Sequence, residues 1–162
     1  MSDTSVIPGS HTVRNLFEDL LGRDVSVGPG DPMAQADLAT ATVAIYTDSQ
    51  QKIYGVLGMD LTLAANVGAA LGLLPAGAAE DSIDEKKLFP NLAENVFELC
   101  NVLTSLLNRE GAPHVKLYQV VYPGMDLPAD ARAHLLALGR RLDLMVEVAR
   151  YGKGKFSLSL AP

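Results

Sequence analysis

Cysteine is nearly absent: Cys100 stands alone in 162 residues. No internal disulfide framework can form, and a lone thiol fits a reducing compartment. Positive charge is scarce too. Thirteen Lys and Arg face 19 Asp and Glu, giving a net charge of −6, and no basic cluster reverses this locally. Such a surface repels a polyphosphate chain, so nucleic acid is not an expected partner. An acidic surface suits a partner that carries a basic patch beside its own active site. Long apolar runs are missing as well. The most apolar stretch, residues 61–74, is about fourteen residues long, contains Asn66, and ends at Pro75, too short to span a bilayer. Residues 1–10 show no basic segment followed by an apolar core, so no secretion signal is expected. The expected location is the cytoplasm.

Several chemical signatures are also missing. His11, His114 and His134 are scattered, none at ligand spacing from another His, Cys or acidic pair, and no bound metal is expected. Residues 152–155 (GKGK) lack the preceding glycine of a phosphate loop, and strand-like sequence follows where a helix should begin. No Gly-x-Ser-x-Gly elbow occurs, and Cys100 falls on an apolar helix side, where a buried core thiol is the ordinary reading.

What is present is the composition of a folded domain, with 48% hydrophobic and 20% charged residues. Residues 1–11 read as a flexible arm and 12–162 as one domain. Residues 12–21 (TVRNLFEDLL) have helical apolar spacing, with Thr12 as N-cap and Gly22 as stop. A short strand at 24–27 precedes the breaker Gly28-Pro29-Gly30-Asp31-Pro32. Residues 36–47 alternate as a strand and return through a turn at 48–51 into a second strand at 52–59. An amphipathic, Ala/Gly-rich helix is expected over 61–74, a linker over 75–81, and a charged, unassigned stretch over 82–87. The longest helical pattern runs from 89 or 91 to 108, closed by Gly111 and Pro113. A strand at 115–122, a turn at Pro123-Gly124, a helix near 129–139 and a closing hairpin, 142–150 with 155–160, complete the chain. Each half thus holds a β-hairpin and an apolar helix, which hints at a degenerate repeat. The fold class is α+β: a mostly antiparallel sheet packed with two long helices.

The helix over 91–109 asks for an explanation. At about 100° per residue, Leu92, Ala93, Val96, Phe97, Leu99, Cys100, Leu103, Leu106 and Leu107 fall opposite Glu98. The Glu98 side carries Asn91, Glu94, Asn95, Asn101, Ser105 and Asn108, with Val102 as its apolar exception. Solvated helix faces usually carry Lys, Glu, Gln or Arg. Asparagine is poorer than alanine by about 0.5–0.7 kcal/mol at an interior position. Capping accounts for the ends of this face, with Asn91 as N-cap, Glu94 closing a capping box, and Asn108 near the C-cap. It does not account for Asn95, Glu98 and Asn101. Glu98 and Asn101, at i and i+3, project side by side from adjacent turns. Such pairs are common, and spacing alone leaves a functional and a structural reading open.

Glu98-Leu99-Cys100-Asn101, on a long helix preceded by hairpin–helix and followed by strand–helix–hairpin, resembles the Glu-x-x-Asn motif of the CheC/CheX/FliY phosphatase family. The order of elements from about residue 12 to 160 is similar to that of CheX. CheC-type proteins carry the motif on two helices and CheX-type ones once. Here the first helix has Asn66 without a Glu three residues earlier, which resembles CheX. Glu94 stands where the family often has Asp or Ser, Ser105 where it often has a small residue, and Pro123 approximates a later proline.

The resemblance implies a phosphatase acting on the aspartyl phosphate of a response-regulator receiver domain, in chemotaxis or another two-component pathway. The receiver would supply Mg²⁺, and this chain would bind no cofactor. Asn101 would hold the attacking water, and Glu98 would pair with a receiver lysine. Glu94, Asn95, Ser105 and Asn108 would form the surrounding contact surface. Two alternatives stay open: a non-catalytic CheX-like adaptor that binds a receiver or another signalling partner, and an unrelated domain whose asparagine face is a homodimer contact. A homodimer is also expected from residues 155–160 (KFSLSL), read as an edge strand with one charge, and from the habit of CheX-like proteins to pair.

Overall fold

The computed structural model describes residues 7–108 and 114–161. Its frame is one sheet of six strands: β1 (Val25–Pro29), β2 (Thr42–Asp48), β3 (Ile53–Met59), β4 (Val115–Val121), β5 (Arg141–Val148) and β6 (Gly152–Leu160). Their spatial order is β1-β5-β6-β3-β2-β4, and every neighbouring pair is antiparallel. The expected α+β class holds. Both hairpins form, with Ala44 opposite Leu57 in one and Val146 opposite Gly154 in the other. The edge assignment changes, however. β6 hydrogen-bonds to β5 on one side and β3 on the other, so the sheet edges are β1 and β4. Residues 155–160 are interior, and their low charge is that of a central strand buried on both faces.

Five α-helices are described: α1 (Ser10–Leu21), α2 (Leu61–Leu71), α3 (Ala76–Asp84), α4 (Pro90–Val102) and α5 (Ala129–Leu136). Alternation along β2 sends its side chains to two cores. Ala44 and Tyr46 join the larger core with Phe17 of α1, Leu63 and Val67 of α2, and Val96 and Leu99 of α4. Val43 and Ile45 face the opposite side, where Ala131 and Leu135 of α5 cover them with Met33 and Leu38. The helix α3 packs outside α2 through Ala79, against Ala65, Ala69 and Leu92.

Several sequence expectations shift. Of the arm expected over 1–11, residues 1–6 lie outside the described residues, as do Arg109, Gly111 and Pro113. Ile7 packs on the larger core and Pro8 is buried. Thr12 is inside α1, whose N-cap is Gly9; Gly22 does end it, in the left-handed region at φ 66°. The strand expected from 36 begins only at Thr42, because Gln35–Ala39 is a 3₁₀ turn. Asp37 holds that turn by accepting from the Ala34 amide at 2.8 Å, and Lys155 pairs with Asp37 at 3.1 Å. The supposed linker 75–81 is mostly the helix α3.

The α2 helix is not amphipathic. Residues 63–70 are buried on every side, Asn66 included at 2% exposure, because sheet, α3 and α4 enclose them. Gly68 makes that enclosure possible. A Cβ there would sit 2.8 Å from the Leu92 carbonyl oxygen of α4, so the two backbones meet at a distance that excludes a side chain.

Candidate functional site

The α4 helix starts with Phe89 as N-cap in extended conformation and Pro90 in the first turn, where its missing N–H costs nothing. Asn91 is therefore inside the helix, and no side chain caps it. One face is core: Leu92, Val96, Leu99 and Cys100 are all at 0% exposure. The α-helix closes at Val102, earlier than expected, and continues as a 3₁₀ turn, Leu103–Leu106. Three residues per turn replace 3.6 there, so the angular projection made from Glu98 drifts beyond Val102.

Two tyrosines tie α4 to the sheet beneath it. The Tyr46 hydroxyl donates to the Cys100 carbonyl at 2.6 Å, and the Tyr122 hydroxyl donates to the Ala93 carbonyl at 3.3 Å. The first bond fixes the backbone one residue before Asn101. Burial pushes both phenols above their ordinary range, so they remain neutral donors. Burial likewise pushes the Cys100 thiol up to about 12, and the thiol faces the core. These tyrosine anchors left no trace in local periodicity, because their partners lie 54 and 29 residues away.

The structure divides six polar residues of α4 and the segment after it into two groups. Asn95 and Asn108 are engaged within the fold. Asn95 Nδ2 donates to the Gly68 carbonyl at 2.9 Å, binding α4 to α2. Asn108 makes a two-point clamp on Val115, donating to its carbonyl and accepting from its amide, each at 2.7 Å, which starts β4. Glu94, Glu98, Asn101 and Ser105 are exposed, and none has a hydrogen-bond or ion-pair partner among the described residues. Glu98 and Asn101 thus stand one turn apart on a rigid helix, about 5–6 Å between their Cβ atoms.

Phe97 departs from its expected place. It is 46% exposed, where the angular reading puts it on the core side. Its backbone position borders the polar face, four residues before Asn101, whereas Val96, Leu99 and Cys100 enter the larger core and Leu92 packs on α2 and α3. Ser105 lies further along, on the wall of a cleft of about 530 Å³ that Thr12, Asn15, Leu16 and Asp19 of α1 complete.

The chemistry of this face is that of an acceptor carboxylate and a neutral amide. The amide has one acceptor oxygen and two N–H donors, so it can hold a water and a phosphoryl oxygen at once. Among the described residues no group of three or more His, Cys, Asp or Glu could hold a metal ion. No helix among them is long and apolar enough to cross a membrane.

No protein-family model matches the chain, and no curated protein matches it. Solved structures do. A chemotactic CheC-like protein from Shewanella oneidensis MR-1 is 15% identical, with 99% of this chain and 100% of that one covered at a TM-score of 0.56. CheX in the CheX–CheY–BeF3–Mg²⁺ complex from Borrelia burgdorferi is 11% identical over 91% of this chain and 92% of that one, also at 0.56. FliY from Thermotoga maritima is 14% identical over 91% and 81%, at 0.55. At such identities the likeness is one of fold: this chain has the fold of the CheC/CheX/FliY family.

Proposed function

We propose that this protein is a phosphatase for the aspartyl phosphate of a response-regulator receiver domain, with Asn101 and Glu98 as its working residues. The observation that carries this reading is the division of the helix face. Asn95 and Asn108 serve the fold, whereas Glu98 and Asn101 are presented outward, unpartnered, on a helix whose backbone is pinned beside them by Tyr46. The fold shared with CheX, which is known in complex with CheY, BeF3 and Mg²⁺, supports a receiver as the partner.

Phosphoryl transfer to water demands positioning more than a strong base. Asn101 accepts a hydrogen bond from the attacking water through Oδ1 and donates through Nδ2 to a phosphoryl oxygen, which sets the water in line. Glu98 pairs with a receiver lysine, an ionic hydrogen bond that fixes register. The receiver contributes Mg²⁺, and this chain holds no cofactor of its own. Glu94 and Ser105 border the contact. The protein works in the cytoplasm, where receivers are found.

The test is release of phosphate from purified, phosphorylated receiver domains of the same genome, with and without this protein. Acceleration for at least one receiver is expected. Tight binding of a receiver without acceleration would instead select the adaptor reading.

A further inference from the structure

We infer that Phe97 is the apolar anchor by which this face recognises its receiver, an inference that rests on the phosphatase reading and adds the residue that sets affinity. A phenylalanine is normally among the first side chains a helix buries. This one is 46% exposed on a helix whose other face has Leu92, Val96 and Leu99 at 0%. The fold therefore gains less from it than from those fully buried neighbours, since about half of its surface is left to solvent.

Its neighbours give the surface a definite chemistry. Glu94, Phe97 and Asn101 stand at i, i+3 and i+7, one row along the helix, with Glu98 beside them. Along Pro90–Val102 the row has two carboxylates and no Lys or Arg. Its complement is an apolar recess with a basic rim, which a receiver must place next to its phosphorylation site for Asn101 to reach phosphorus. Aromatic side chains that are rigid, central and ringed by polar groups dominate interface energetics. Charges at the rim act mainly on encounter rate and partner choice.

The measurement is steady-state dephosphorylation of the receiver that responds to wild-type protein, with KM and kcat determined separately for Phe97→Ala and Phe97→Leu. Phe97→Ala is expected to raise KM about tenfold with kcat within about twofold, and Phe97→Leu to recover most of that loss. Phe97→Leu, which keeps most of the half-buried apolar contact, should melt as wild type does, and Phe97→Ala should stay fully folded at the assay temperature, so that its raised KM reads the contact with the receiver and not a loss of fold. Unchanged KM in Phe97→Ala, or a fall in kcat at constant KM, overturns the inference while leaving the phosphatase reading intact. Wild-type protein that accelerates no receiver removes that reading and this inference with it.

Discussion

Asn95→Ala and Asn101→Ala are the same chemical change on one helix, and the structure predicts opposite effects on stability. Removing Asn95 deletes its 2.9 Å bond to the Gly68 carbonyl. That carbonyl also accepts from the Gly72 amide at 3.2 Å, so it is not stripped of partners. A net loss near the usual hydrogen-bond value, about 1–1.5 kcal/mol, is therefore appropriate. Alanine returns about 0.5–0.7 kcal/mol of helix propensity. The variant should be destabilised by about 0.3–1 kcal/mol. Asn101→Ala loses no bond and gains the propensity term, so it should be stabilised by about 0.5 kcal/mol. The two variants then differ by about 1–1.5 kcal/mol, or roughly half a molar in urea midpoint at a slope of about 2–3 kcal/mol/M. Equilibrium unfolding in urea measures this directly. Coincident midpoints would refute the division of the helix face on which the proposed site stands.

The remaining stability predictions test the packing beneath the site. Gly68→Ala should destabilise by about 1–2 kcal/mol despite better helix propensity, because the new Cβ would meet the Leu92 carbonyl oxygen at 2.8 Å; a raised melting temperature would contradict the close helix crossing. Burial pushes the Cys100 thiol from 9.0 up to about 12. Above pH 9 the unfolded chain releases its thiol proton while the folded chain keeps it, so stability should fall between pH 9 and about 12. The slope is at most about 1.4 kcal/mol per unit. Tyr46, also raised, contributes in the same direction from pH 10 upward. Unfolding curves at pH 8 and 10 should show a smaller loss for Cys100→Ala than for wild type, and equal losses would mean the thiol is not buried.

The parts of the fold that repeat locally were legible in the sequence. Both hairpins and the inner stripe Leu92, Val96, Leu99 and Cys100 follow from periods of two and 3.6 residues. What escaped has physical reasons. The α3 helix buries only Ala79 and Ser82, so it leaves no apolar rhythm and resembles a linker. Residues 36–39 alternate as a strand would, but the Asp37 carboxylate captures the Ala34 amide and turns the chain. The central place of β6 depends on its pairing with β3, which is distant in sequence and unmarked by any turn. The Glu98–Asn101 pair was legible as a motif. The separate employment of Asn95 and Asn108 was not, because their partners, Gly68 and Val115, belong to other elements. The angle of Phe97 alone places it in the core, and the border between faces is where an angle decides least.

The most direct test of the account is the rate of aspartyl-phosphate loss from the responsive receiver, at saturating protein, for wild type, Asn101→Ala and Glu98→Ala. Asn101→Ala should lose nearly all acceleration while still binding the receiver, since the amide acts mainly in the transition state. Glu98→Ala should weaken binding as well as rate. An Asn101→Ala protein that accelerates dephosphorylation as well as wild type does would contradict the assignment of this helix face as a phosphatase site.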